Sequence, residues 1–466
     1  MPSLISFPIP GQSLIGKAAR DNWQSCIHRT IPSLKRLLGR TPDNREVDQL
    51  TSGLAFHTFA GTDRFLRFQI DNDFHSATDL CALMLKKMRE EASSYLGAEI
   101  VKAVFAAPVG YGTMQRRAFE RAAHQAGFEI CNIISEPTAV LLAHGFKGRK
   151  NGQIAIFDFG GGTLDFSVVE ITPTEFKVIG AGGDPWLGGE EFDHLLAGHF
   201  ADGFWRKAGV DLRTRAVEWR ALLLAGEAAK CILSTRQSAT VQLDNLMITS
   251  QGAQGFKTDI TRKEFDKLAE DLVDRACLVV KSVLRQTGIA PKSIDQVVLT
   301  GGTCLIPLVQ KKISALFGKK PILQDPHLTV ARGTAIRAAE IYGDPVAIGQ
   351  RVLHDVVGRT FGAGIQGGKV STIFERTTSF PAQITRRFNT LFDNQTKMIL
   401  QIYENSASRV DLNLPICTIN VSGIPPRPAG ERSIEVTFSL TEDGLLNVSV
   451  EGAGKQIIET IQTKPD

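Results

Sequence analysis

The chain has 466 residues, a formal net charge of +4, 43% hydrophobic and 22% charged residues. That length exceeds one ordinary core, so two or three domains are expected, and the composition excludes a disordered or fibrous chain. The small net charge and short basic clusters, Lys311-Lys312 and Lys319-Lys320, lack an arginine stripe interleaved with aromatics, which excludes a nucleic-acid footprint.

Seven scattered cysteines (Cys26, Cys81, Cys131, Cys231, Cys277, Cys304 and Cys417), without a C-x-x-C pair, read as reduced thiols. The opening Met1-Pro2-Ser3-Leu4-Ile5 has no basic n-region, and no apolar run approaches the ~20 residues of a bilayer span. The expectation is a soluble cytoplasmic protein with neither a membrane nor a nucleic-acid partner.

In chain order, short apolar runs alternate with amphipathic helices up to about residue 345, the pattern of α/β layering. Ile154-Ala155-Ile156-Phe157 reads as a strand ending at Asp158, and Gly160-Gly161-Gly162-Thr163 follows. Successive glycines let backbone N–H groups converge on an anion, the Thr163 hydroxyl adds a donor, and Asp158 can hold a metal-bound water. Leu164, Phe166 and Val168 then alternate with Asp165 and Ser167, so the loop joins strand to strand, whereas a Walker loop would open a helix. An ordinary glycine-rich hairpin turn has the same appearance.

Thr261 and Glu264 form a capping-box signature ahead of Phe265, Leu268, Leu272, Ala276, Val279 and Val283 at helical spacing, with Gly288 as the stop. Next, Gln296-Val297-Val298-Leu299-Thr300 runs into Gly301-Gly302-Thr303 and through Pro307 into a helix, a second anion site of the helix-terminus kind. Two such loops suggest a nucleotide held between two lobes. Beyond Tyr342-Gly343-Asp344-Pro345 the pattern changes to short alternating strands separated by Gly367-Gly368, Asp393-Asn394 and Asp443-Gly444, as in an antiparallel sandwich. The expected division is a nucleotide-binding domain over 1–345, a linker over 346–356 and a β-sandwich over 357–466.

Several motifs in this order resemble the DnaK and HscC group of seventy-kilodalton heat-shock chaperones: Ile133-Ile134-Ser135-Glu136-Pro137-Thr138-Ala139, the Asp158 to Asp165 loop, Leu187-Gly188-Gly189-Glu190-Glu191-Phe192-Asp193, Glu227-Ala228-Ala229-Lys230, the Gly301-Gly302 loop and Arg332-Gly333-Thr334-Ala335. The resemblance runs almost end to end. It implies an α/β actin-like (ribonuclease H-like) ATPase domain with two lobes, followed by an all-β peptide-binding sandwich. It also implies ATP/ADP and Mg2+ as cofactors, unfolded or extended polypeptide as partner, and a J-domain co-chaperone and nucleotide exchange factor as helpers.

By the same resemblance, Lys35 is the lysine that holds the γ-phosphate and attacking water, against the plain reading of a solvated lysine. Glu136 positions water, against a helix-start carboxylate. Asp158 belongs to the magnesium shell through water, and Thr163 touches the γ-phosphate, in the positioning manner of phosphoryl transfer. Gly160, Gly161, Gly162, Gly189, Gly301, Gly302 and Thr303 line the phosphates. Glu227, Lys230 and Ser234 share one helical face toward the ribose and base, with a surface salt bridge as the plain reading of the first two. Pro108 and Arg116 correspond to the relay between domains, against a strand end and an exposed helix residue. Ala363, Gln366, Phe388, Leu391, Met398 and Leu400 fall at the peptide groove, where a leucine-like side chain would sit beside a strand-like backbone. A sandwich core would show Met398 and Leu400 in the same alternation.

Some positions depart from the pattern. The family's first phosphate loop, a Gly-x-Asp-x-Gly-Thr-Thr hairpin, has no counterpart, and the expected cause is a truncated gene model, with a degenerate chaperone as the alternative. Cys231 and Leu305 stand where arginines usually sandwich adenine, and His327 replaces an aspartate, so weaker nucleotide binding is expected. No helical lid follows Asp466, which implies rapid peptide exchange. Two other readings remain open: a nucleotide-independent peptide-binding or scaffold protein, and an actin-fold small-molecule kinase, for which no substrate constellation is evident.

Overall fold

The computed structural model describes residues 1–23, 25–51, 53–145, 151–173, 175–249, 252–343, 352–404 and 415–451. The strand Gly152–Phe159 sits inside a six-stranded mixed sheet, in the order Ile322–Leu323, Gln296–Thr300, Gly152–Phe159, Leu164–Ile171, Glu175–Asp184, Val352–His354. Its run from Ile154 to Phe157 is apolar throughout because both faces are covered. Ala155, Phe157 and Phe159 enter one core with Phe192, Phe200, Phe265 and Phe317, while Ile154 and Ile156 enter another with Val140, Leu141 and Val298.

The partner strand Leu164–Ile171 pairs antiparallel, Phe159 opposite Leu164, so the glycine loop joins strand to strand as its alternation predicts. Leu164, Phe166 and Val168 face the first core, Val169 and Ile171 the second. Asp165 and Ser167 share that second face and are buried with it.

The helix Arg262–Thr287 begins at the Thr261 capping box, with Glu264 Nα accepted by the Thr261 hydroxyl at 3.2 Å, and ends at Gly288. Its buried face differs from the predicted stripe. Phe265, Ala269, Val273, Ala276, Cys277 and Val280 are inside, whereas Leu268, Leu272 and Val279 are only partly covered at the margin. The seam alternates the small Ala269, Ala276 and Cys277 with the larger Phe265, Val273 and Val280.

A second core gathers residues from the first 130 positions. Ile5, Ile31, Leu34, Leu37, Phe68, Leu80, Ala122 and Phe128 pack between a three-stranded meander (His57–Ala60, Leu66–Ile70, Asp73–Ser76) and the helices Ala77–Leu96 and Thr113–Gln125. The parallel strands Lys102–Ala107 and Ile130–Ser135 form a separate pair beside it. Two antiparallel sheets, of four and three strands, occupy 361–451 and share a core built on Phe361, Leu400, Ile402, Val436 and Phe438.

Of the segment expected to be a linker, 346–351 lies outside the described residues. Val352–His354 is the sixth strand of the central sheet, paired parallel with Glu175, Phe176 and Lys177. Ladder hydrogen bonds therefore hold this stretch, so it is not free coil.

Gly333 marks a close helix–helix contact. A Cβ there would overlap the Ala139 carbonyl of the helix Glu136–His144. Gly333→Ala is therefore expected to lower unfolding free energy by about 1–3 kcal/mol, read from the urea midpoint. The neighbouring exposed substitution Arg332→Ala should stay within about 0.5 kcal/mol.

Candidate functional site

Three chain segments meet around Gly160-Gly161-Gly162. Gly188 and Gly189 open the helix Gly189–Ala208, and Gly189 and Glu190 donate their backbone N–H to the carbonyls of Gly160 and Gly161 at 3.0 and 2.9 Å. From the other side the Thr303 hydroxyl donates to the Gly160 carbonyl at 2.8 Å. A Cβ on Gly188 would collide with the Gly161 carbonyl, and one on Gly301 with the Phe159 carbonyl. Gly301 also has φ +84°, which favours glycine there on two counts. A short 3-10 turn, Gly302–Leu305, separates these glycines from the helix Pro307–Phe317, so the second loop does not abut its helix directly. Gly302 lies against the His327 ring.

Beside the loop, Lys35 Nζ donates to Glu136 at 2.5 Å. Lys35 is on the short helix Leu34–Leu37, and Glu136 is the first residue of the helix Glu136–His144, whose cap is Ser135. The Lys35 side chain keeps 46% of its accessible surface, while its head is held by the buried Glu136 carboxylate. Burial, the largest single influence, favours the neutral amine, but Glu136, Tyr111 and Asp158 together outweigh it, so the ammonium titrates above its ordinary range.

Asp158 stands at the strand end, opposite Thr300 in the register. Its carboxyl is pushed well above the usual range, first by burial and then by Glu136 and Asp165. Asp165 is pushed up to about 7 by burial and Glu136, while Lys35 and a hydrogen bond from Thr163 oppose the shift. Among the described residues no three His, Cys, Asp or Glu side chains converge to ligate a metal directly. Crowded carboxylates raised in this way fit a magnesium ion that keeps its water ligands.

The predicted set omitted Asp165. Its signal was an acidic residue on a strand whose two neighbours on that face, Ser167 and Val169, are also buried. Arg36 was omitted as well. Its guanidinium binds the Gly162 carbonyl, Glu190 at 3.0 Å and Glu191 at 2.9 Å, and lies 5.4 Å from the Trp186 ring centre. No local pattern marks it, because all its partners are more than a hundred residues away.

Glu227, Lys230 and Ser234 share one side of the helix Ala216–Thr235, but each has a protein partner. Glu227 pairs with Arg20 at 2.5 Å, Lys230 with Asp193 at 2.8 Å and the Gly189 carbonyl at 2.9 Å, and Ser234 donates to the Lys230 carbonyl. Glu227 and Lys230 line a cavity of about 540 Å³ with Gly161, Glu190 and the Pro2-Ser3-Leu4 segment.

Arg116 is buried, not exposed. It donates to the Tyr111 and Asp443 carbonyls at 3.4 and 3.1 Å and lies 5.9 Å from the Phe380 ring centre. Pro108 is buried at the turn after Lys102–Ala107, where its carbonyl accepts from Tyr111. Asp355 joins this network, accepting from Ser135 N at 3.1 Å, the Ser135 hydroxyl at 2.5 Å and the Thr138 hydroxyl at 2.7 Å. Glu404 accepts from Thr113 N at 2.9 Å, and burial raises its carboxyl above the ordinary range. Of the six groove candidates, Ala363, Met398 and Leu400 are inside the sandwich core, Phe388 packs at its margin, and only Gln366 and Leu391 are exposed. They do not form one open surface here.

Two outcomes follow for the charged groups. Arg36→Ala should cost about 2 kcal/mol or more in unfolding free energy by urea melt, because a buried fork to two carboxylates is lost; Arg36→Lys should recover part. Burial lifts Asp193 from 3.8 to about 7 against the opposing Lys230. The native state thus keeps a proton that the unfolded chain releases, so this contribution is full below about 3.8 and lost as pH rises through about 7. Asp193→Asn should flatten that limb of the stability–pH profile.

The model of the Hsp70 protein family matches residues 1–466. The family is one of ATP-binding chaperones that take ATP/ADP with Mg2+ and act on unfolded polypeptides. The chain belongs to the Hsp70 family.

Proposed function

We propose that this chaperone binds extended apolar segments of unfolded proteins through 357–466 under the control of ATP binding and hydrolysis in 1–345. The observation that carries the reading is the position of Asp355. It is bonded to Ser135 and Thr138, which flank Glu136, and Glu136 holds Lys35. A change at the phosphates that moves Glu136 therefore reaches the segment leading into the sandwich through two hydrogen-bonded residues.

Within this reading, Asp158 would hold a magnesium ion through water, and that ion would supply charge neutralisation at the phosphates. Gly160, Gly161, Gly162, Gly301 and Gly302 approach the phosphates by backbone, and the Thr163 and Thr303 hydroxyls donate to them on turning away from Asp165 and the Gly160 carbonyl. Lys35 holds positive charge where the transferred group becomes more negative, and Glu136 fixes both that ammonium and the attacking water. Pro108, Arg116 and Glu404 transmit the docked or undocked state of the sandwich. Gln366, Phe388 and Leu391 border the peptide site, with Ala363, Met398 and Leu400 forming its floor when the two sheets part. J-domain and exchange-factor partners follow from the same cycle.

Single-turnover hydrolysis and fluorescence anisotropy with a leucine-rich peptide test this together. ATP should accelerate peptide release, Lys35→Ala should slow hydrolysis by about a hundredfold or more, and Asp355→Ala should leave ATP binding intact while abolishing the accelerated release. Peptide binding indifferent to ATP would instead favour a nucleotide-independent scaffold.

A further inference from the structure

Behind Thr163, on the side facing the sandwich, lies a second cavity of about 220 Å³. It is lined by Lys35, Thr163 and Asp165 together with three arginines, Arg40, Arg359 and Arg376. Two of these arginines are incompletely answered by protein groups. The Nε atoms of Arg40 and Arg376 are buried without a hydrogen-bond partner among the described residues. Arg359 donates to Gln115 at 3.2 Å and has the buried Glu404 carboxylate near it, Arg376 reaches the Ala181 carbonyl through a terminal nitrogen, and Arg40 lies 5.7 Å from the Trp186 ring centre.

The acidic side is smaller. Asp184 is already engaged by Arg275 at 2.6 Å and by Trp186 N at 3.0 Å, which leaves Asp165 as the carboxylate facing the cavity. Burial together with the neighbouring Arg359 charge pushes Arg40 below its ordinary range, and burial does the same to Arg376. Buried guanidinium donors without acceptors are costly, and a small tetrahedral oxyanion supplies several acceptors at once. A hydrogen phosphate also carries a proton that a carboxylate such as Asp165 can accept in a hydrogen bond. Gly358 closes the space, since its backbone lies so near the Val109 carbonyl that a Cβ would overlap it.

We propose that this cavity is a holding site for inorganic phosphate, completed by Arg359 and Arg376 from the sandwich segment. It rests on the ATPase reading above. Hydrolysis forms a bond from water oxygen to the γ-phosphorus and breaks the bond to the ADP oxygen, with the released proton passing to phosphate or solvent. The phosphate then lodges behind Thr163, and its departure is tied to separation of the sandwich, because two of its arginines leave with it.

Calorimetric titration of the full chain with inorganic phosphate, with and without ADP, tests the site. Arg359→Gln and Arg376→Gln should each weaken phosphate binding about tenfold, the worth of one charge-assisted hydrogen bond, and Arg376→Lys should recover part. Unchanged ADP affinity identifies these variants as folded. In single turnovers the wild type should release phosphate after bond cleavage, with the lag shortened in both Gln variants. Absence of phosphate binding by the wild type, or wild-type phosphate affinity in both Gln variants, overturns the proposal. A chain that binds phosphate through these arginines without cleaving ATP would keep the site and refute the ATPase reading instead.

Discussion

The candidate site depends on how closely three distant backbone segments approach one another. Phe159 to Gly162, Gly188 to Glu190, and Gly301 to Thr303 touch main chain to main chain, at positions where a Cβ on Gly188 or Gly301 would collide. This approach draws the start of Gly189–Ala208 and the turn after Gln296–Thr300 onto one hairpin. The Lys230–Asp193 pair then locks the neighbouring helix to the same point, since Lys230 also binds the Gly189 carbonyl. Side chains at these glycines would push all of it apart.

Around that backbone junction the electrostatics are arranged in two ways. Arg36, with its fork filled by Glu190, Glu191 and the Gly162 carbonyl, is a saturated cation whose role is to hold elements together. Asp158 and Asp165 are the reverse, carboxylates raised by burial and by Glu136 with a single lysine to offset them. Clustered buried carboxyls of this kind take up a proton or a cation readily. Saturated and unsaturated groups lie side by side, which separates scaffold from chemistry.

The sandwich is tied to the rest by polar contacts of buried groups. Asp355 binds Ser135 and Thr138, Glu404 binds Thr113, and Arg116 binds the Asp443 carbonyl. Burial raises the Glu404 and Asp443 carboxyls and lowers Arg116, so each of these groups is less comfortable charged than in water. An interface built this way is stable while complete and sensitive to the loss of any member.

Local features were legible from the amino acids alone. The alternation after Gly162 showed that the loop is a hairpin, Thr261 and Glu264 marked a helix start, and Gly288 marked its end. These are short-range constraints, set by backbone geometry within a few residues. The motif matches also placed the chain in its family and singled out Lys35 and Glu136, which are in contact here. Only the tertiary structure decided that Arg116 is buried, that Val352–His354 is a sheet strand, that Leu268 and Leu272 lie at the helix margin, and that Asp165, Arg36 and Asp355 belong to the site network. Each depends on partners far away in sequence, and burial, ion pairing and register across such distances are properties of how elements pack, which no local pattern encodes.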